Sequence, residues 1–190
     1  MLKFATNLCF YLVLIFVVSG CSGSSDSGSV VSQEGPAETA DGCDLPADDI
    51  PVNVTASNIE YVRTPDACFE SLVDYPFSPN YAVIDGLRMH YVDEGPVDGE
   101  VVLMLHGQPS WSYLYRKMIP VLVEAGYRVI AADHIGMGRS DKPSDPRVHT
   151  YEQQVAWNKA FIVQLGLDDI TLFVQDWGSL LGLRIAGDMP

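Results

Sequence analysis

Asp176 is the side chain in this sequence best placed to form a bond to carbon. It follows an apolar run, Ile170-Thr-Leu-Phe-Val174, that reads as a buried strand, and it precedes Gly178, where a helix is expected to begin. Val174-Gln-Asp-Trp-Gly178 has the spacing of G-x-S-x-G, the sharp strand-to-helix turn that lifts one side chain above the end of a parallel sheet, with aspartate in place of serine. A carboxylate needs no general base to be nucleophilic at neutral pH, and the start of a helix favours its ionised form. Its attack gives an ester, so the target is a saturated carbon bearing a leaving group. Taken alone, Asp176 also reads as an N-cap residue before an amphipathic helix. The motifs upstream favour the nucleophile.

The next groups that could do chemistry lie around it. Gly107-Gln108-Pro109 supplies backbone N–H groups at the end of an earlier strand, and Trp177 supplies another; two such donors would form an oxyanion hole. The indole N–H of Trp177 is a donor without basicity, suited to a weakly hydrated leaving halide, although the same ring could simply pack in a core. His106 begins a loop and reads as structural; His90 falls in a strand, and His134 and His149 in loops. No pair has the spacing of metal ligands, so no metal is expected. Gly136-x-Gly138 lacks the third glycine and the following helix of a dinucleotide loop, and reads as a turn.

These groups need strands and helices to hold them. Asp85-Gly86 between two apolar-rich arms predicts a hairpin. Val101-Val-Leu-Met-Leu105 is apolar throughout, as in a parallel strand covered on both faces. A helical region from Ser112 is interrupted at Pro120, where a second helix begins and runs to Gly126. Arg128-Val-Ile-Ala-Ala132 is another strand. Thr150-Tyr-Glu-Gln153 fits a capping box, with Tyr151, Val155, Ile162 and Leu165 on one helical face and Gly166 as its stop. Strands alternating with helices predict an α/β fold with a mostly parallel sheet and an antiparallel first hairpin.

Composition limits the partners. A formal charge of −14 over 190 residues argues against nucleic acid or an anionic membrane surface, while 47% apolar and 19% charged residues are those of a globular protein. Residues 1–20 read as a signal peptide, because Leu8 to Val18 is apolar but shorter than the roughly 20 residues that span a bilayer. Val18-Ser-Gly-Cys21 resembles the lipobox of bacterial lipoprotein signals. That implies cleavage before Cys21 and lipid on its thiol and amino group, and Ser22, in place of the Asp of an inner-membrane retention signal, implies a place in the outer membrane facing the periplasm of a Gram-negative bacterium. Residues 21–55, rich in Gly, Ser and Asp, are expected to form a flexible tether, and residues 56–190 the folded domain. Cys43 and Cys68 could pair in an oxidising compartment.

Three motifs together resemble haloalkane dehalogenases of the α/β-hydrolase fold. They are the run His106-Gly-Gln-Pro-Ser-Trp-Ser-Tyr-Leu-Tyr-Arg-Lys-Met-Ile-Pro120, then Asp133-x-x-Gly-x-Gly-x-Ser-Asp-Lys-Pro143, then Val174-Gln-Asp-Trp-Gly178. Arg63-Thr-Pro-Asp66 and Tyr75-Pro-Phe-Ser-Pro-Asn-Tyr81 resemble that family's lead-in, so the likeness covers roughly residues 60–190. The resemblance implies Asp176 as nucleophile, Trp177 as one of two halide-holding residues, and the backbone N–H groups of Gln108 and Trp177 as the oxyanion hole. It implies hydrolysis of the ester by a histidine-activated water, and no cofactor. Related sequences carry Glu or Asn at the Gln108 position; Gln keeps the backbone donor without the carboxylate.

The resemblance also implies parts that lie beyond Pro190: a cap with the second halide-binding residue, and later strands with the acid and the histidine. The chain as written is therefore expected to be an inactive, poorly folded fragment with the strand at 170–174 left at an edge. Epoxide hydrolases share the Asp-Trp-Gly turn, but Gln108 and Gln175 favour dehalogenation over an epoxide substrate. A non-catalytic, lipid-anchored module is the reading from a different class.

Overall fold

The computed structural model describes residue 43 and residues 49–189. Its strands and helices are β1 (Val52–Val54), β2 (Glu60–Val62), β3 (Asn80–Ile84), β4 (Leu87–Glu94), β5 (Val101–Leu105), α1 (Ile119–Glu124), β6 (Arg128–Ala132), β7 (Lys142–Pro143), α2 (Tyr151–Leu165), β8 (Thr171–Val174) and α3 (Trp177–Asp188). The stretch expected to be a signal peptide, Cys21 and most of the expected tether fall outside the described residues.

The main sheet, among the described residues, has the order β3-β4-β6-β5-β8. Asp85 and Gly86 both take positive φ, 51° and 81°, the backbone of a two-residue turn whose twist matches its arms, and β3 and β4 pair antiparallel across it. β5 is the central parallel strand, paired to β6 on one side and β8 on the other. The sheet is less parallel than the sequence implied. β4 turns back to pair antiparallel with β6 rather than with its neighbour in sequence, β5, so half of the pairings are antiparallel and the sheet is mixed.

Alternation along the central strands feeds two cores. Leu103, Leu105 and Ile130 face α2 and α3, where they meet Trp157, Phe161, Leu181 and Ile185. Val102, Met104 and Val129 face the other way, onto Tyr75, Tyr115 and Ile119. Thr150 caps α2 by accepting the Gln153 N–H at 3.1 Å, and Gly166 ends it in the left-handed conformation. The expected face of α2 does pack on the sheet, but its largest buried side chains are Trp157 and Phe161. The Trp157 indole also reaches the hairpin, donating to Asp85 at 2.9 Å.

Two boundaries differ from expectation. β1 lies inside the stretch expected to be tether, where it joins β2 and β7 in a small antiparallel sheet; its residues are exposed, so no buried apolar pattern marked it. β8 pairs with β5 alone among the described residues, leaving Thr171 and Phe173 exposed instead of covered on both faces. Cys43 and Cys68 form a disulfide with their Cα atoms 5.3 Å apart, joining residue 43 to the 3-10 turn Asp66–Phe69.

Candidate active site

Three chain segments meet above the carboxyl ends of β5, β6 and β8, the place where open α/β sheets hold ligands. Asp176 stands between β8 and α3 with φ 53° and ψ −124°, a backbone conformation that side-chain-bearing residues rarely adopt. Its side chain makes no capping bond to α3, contrary to the N-cap alternative, and it is exposed. Strain of this kind persists only where the surrounding structure enforces it, at about 1–3 kcal/mol.

What enforces it is close packing. Gln175 N–H bonds to Leu105 C=O at 3.2 Å, extending the β5–β8 pairing to the edge of the turn. Gly178 then lies so near the carbonyls of Leu105 and His106 that a methyl group there would collide with backbone. Gly107 is pressed in the same way against the Asp176 carboxylate. The result brings together two of the groups singled out from sequence: Gln108 N–H donates to Asp176 Oδ1 at 3.1 Å. Trp177, 45% exposed, opens α3, and first-turn N–H groups have no partner within a helix. Both candidate oxyanion donors thus belong to the two segments that flank the carboxylate. A pocket of about 310 Å³ beside them is lined by Gln108, Met137, Tyr151, Trp177 and Leu181, among others.

The layer beneath was not legible as a site. Asp133, at the end of β6, is buried and accepts from Ser112 N–H at 2.8 Å, Arg139 N–H at 2.9 Å and His90 Nδ1 at 2.8 Å. Burial alone would raise its pKa, but the His90 bond and charge, with His106 and the Arg139 amide, hold it down to about 2. The rings of His106 and His134 pack against each other, tilted by 49°, with centroids 4.4 Å apart. Burial pushes both below the ordinary histidine range, His134 to about 3. Asp133 and His134 read as loop residues because no periodicity marks a polar group satisfied from distant segments.

All four histidines are engaged away from Asp176: His90 with Asp133, His106 and His134 with each other's backbone, and His149 with Pro143 C=O at 3.1 Å. None is positioned as a base for water at this carboxylate. No metal-binding group of acidic, Cys or His side chains occurs among the described residues.

Residues 100–190 match the family model for the α/β-hydrolase fold. The haloalkane dehalogenase of Mycobacterium marinum is 54% identical over 135 residues, which is 68% of this chain and 46% of that protein. The tetrameric haloalkane dehalogenase DpaA from Paraglaciecola agarilytica superposes with a TM-score of 0.67 at 47% identity, over 69% of this chain and 46% of the other. The epoxide hydrolase VrEH1 from Vigna radiata gives 0.54 at 32% identity, over 57% and 35%. The chain spans about half the length of the curated relatives it matches. From the strand order, the turn at Asp176 and these likenesses, the chain has the α/β-hydrolase fold and is similar, over about two thirds of its length, to haloalkane dehalogenases.

Proposed function

We propose that these residues belong to a haloalkane dehalogenase in which Asp176 is the nucleophile. The observation that carries the reading is the strained, exposed Asp176 with Gln108 N–H on its Oδ1. The free carboxylate oxygen attacks the carbon opposite the halogen; the C–O bond forms as the C–halogen bond breaks, and halide leaves with the bonding electrons. The Trp177 indole N–H stabilises the departing halide. The product is an alkyl ester whose carbonyl oxygen is Oδ1, already held by Gln108. Water then adds to the Asp176 carboxyl carbon, a base takes its proton, and the alcohol leaves as the carboxylate re-forms. The four histidines here are engaged elsewhere, and the resemblance implies a histidine as that base.

Trp177→Phe keeps the ring and the backbone donor but removes the indole N–H. In the full open reading frame containing this chain, ester formation should slow by on the order of 10²-fold, as for loss of one oxyanion-hole donor. An unchanged single-turnover rate would make Trp177 a packing residue only. The epoxide reading is supported by the weaker likeness to VrEH1. A matched pair of substrates separates the two: halide release without epoxide consumption is expected, and the reverse would replace the dehalogenase reading.

From the lipobox-like Val18-Ser-Gly-Cys21 we further propose a lipid anchor at Cys21 that holds the enzyme at the outer membrane, facing the periplasm. Labelled fatty acid should enter the wild-type protein and not the Cys21→Ser variant. Equal labelling of the two would remove the anchor.

A further inference from the structure

The Gln108 N–H matters only if the loop carrying it stays still; a turn bond from Ser110 N–H to Gly107 C=O at 2.9 Å closes that loop, but its outer side chains do not hold it. Gln108 and Pro109 are exposed, and Gly107 has no side chain. The restraint comes from within. His134 N–H donates to His106 Nε2 at 3.0 Å. A backbone N–H can only donate, so Nε2 is unprotonated and His106 carries its proton on Nδ1, which donates to Gly107 C=O at 2.9 Å. In return, His134 Nε2 lies 2.9 Å from His106 C=O and must donate to it. The two rings therefore clamp the backbone on both sides of the His106–Gly107 peptide. His134 Nδ1 lies 3.1 Å from the side-chain Oδ1 of Asn158 on α2, and both residues are buried, 2% and 1% exposed.

Resting on the dehalogenase reading for its chemistry, we propose that His134 is a positioning residue that holds the Gln108 N–H on Asp176 Oδ1 through His106 and Gly107. The consequence falls unequally on the two steps. During displacement Oδ1 loses negative charge, so a donor there helps the starting carboxylate at least as much as the transition state. During hydrolysis, addition of water puts charge onto Oδ1, and the donor becomes stabilising where it counts. Loosening the clamp slows hydrolysis and lets the ester accumulate.

His134→Phe keeps an aromatic ring and the backbone N–H but removes the ring donor; His134→Gln retains a side-chain N–H for His106 C=O. In the full-length enzyme, rapid acid quench and mass analysis of the Asp176 peptide follow both steps with a bromoalkane. For His134→Phe we expect hydrolysis slowed by roughly 10²-fold, ester accumulation, and ester formation within a few-fold of wild type. His134→Gln should regain most of the wild-type balance. Equal slowing of both steps, or the same behaviour in Phe and Gln variants, overturns the proposal.

If wild type forms no ester, the dehalogenase reading fails, and amide exchange tests the clamp alone. Gln108 N–H should then exchange at least about tenfold faster in His134→Phe than in wild type or His134→Gln. Identical rates overturn it. Should His134→Phe not fold, Asn158→Leu replaces it, with the same direction of change expected and its absence fatal.

Discussion

Asp176→Ala is expected to abolish halide release while the protein remains folded. The two halves of that outcome have separate causes. The side chain is exposed, caps nothing in α3 and accepts a hydrogen bond from Gln108 N–H at the surface, so removing it leaves both cores untouched. Chemistry has no substitute: no other carboxylate stands on this turn, and losing a covalent nucleophile costs on the order of 10⁶ in kcat. The measurement is bromide or chloride release by the full-length protein, with circular dichroism or a thermal melt to verify folding. Release by the alanine variant at a rate comparable to wild type would end the covalent mechanism.

The second large effect concerns acid. Burial holds the His134 pKa at about 3 and depresses that of His106, whereas in an unfolded chain both titrate near 6.5. The sign follows from proton binding. Below pH 6.5 the unfolded state takes up protons that the native state refuses, so stability is full above that value and falls as pH drops toward the folded pKa. A group held that low contributes a slope approaching 1.4 kcal/mol per pH unit, so His134 gives about 1 kcal/mol between pH 6 and 5, and His106 adds in the same direction. Asp133, held at about 2 against 3.8 when free, adds its own loss only further down. Urea midpoints at pH 7, 6 and 5 test this window, and a flat profile would mean that native His106 and His134 accept protons readily.

The histidine pair also shows where a sequence is readable and where it is not. The hairpin at Asp85-Gly86, the all-apolar β5, the Thr150 cap and the turn at Asp176 each rest on neighbours a few residues apart, and all four emerged from local pattern. The pairing of β4 with β6 depends on where the chain returns, which no local period encodes. β1, β2 and β7 are two or three residues long, too short to show alternation. Within the site, Asp176, Trp177 and Gln108 stood out by residue type and spacing. His134 and Asp133 did not, since the partners that make the network lie mostly on segments more than 20 residues away, at His106 and Asn158 for one and at Ser112 and His90 for the other. A polar residue made useful by such partners looks, in sequence, like any loop residue.

The φ of 53° at Asp176 has a consequence for descent. Glycine fits that backbone better than any residue with a side chain, so Asp176→Gly should raise stability by about 1 kcal/mol while removing the carboxylate. Folding and reactivity pull this position in opposite directions. A lineage that ceased to depend on the reaction would meet a downhill path away from aspartate here, one substitution long and rewarded by a sturdier protein. An aspartate that persists at this turn is therefore upheld by use, and the position serves as a gauge of whether the chemistry is still in demand.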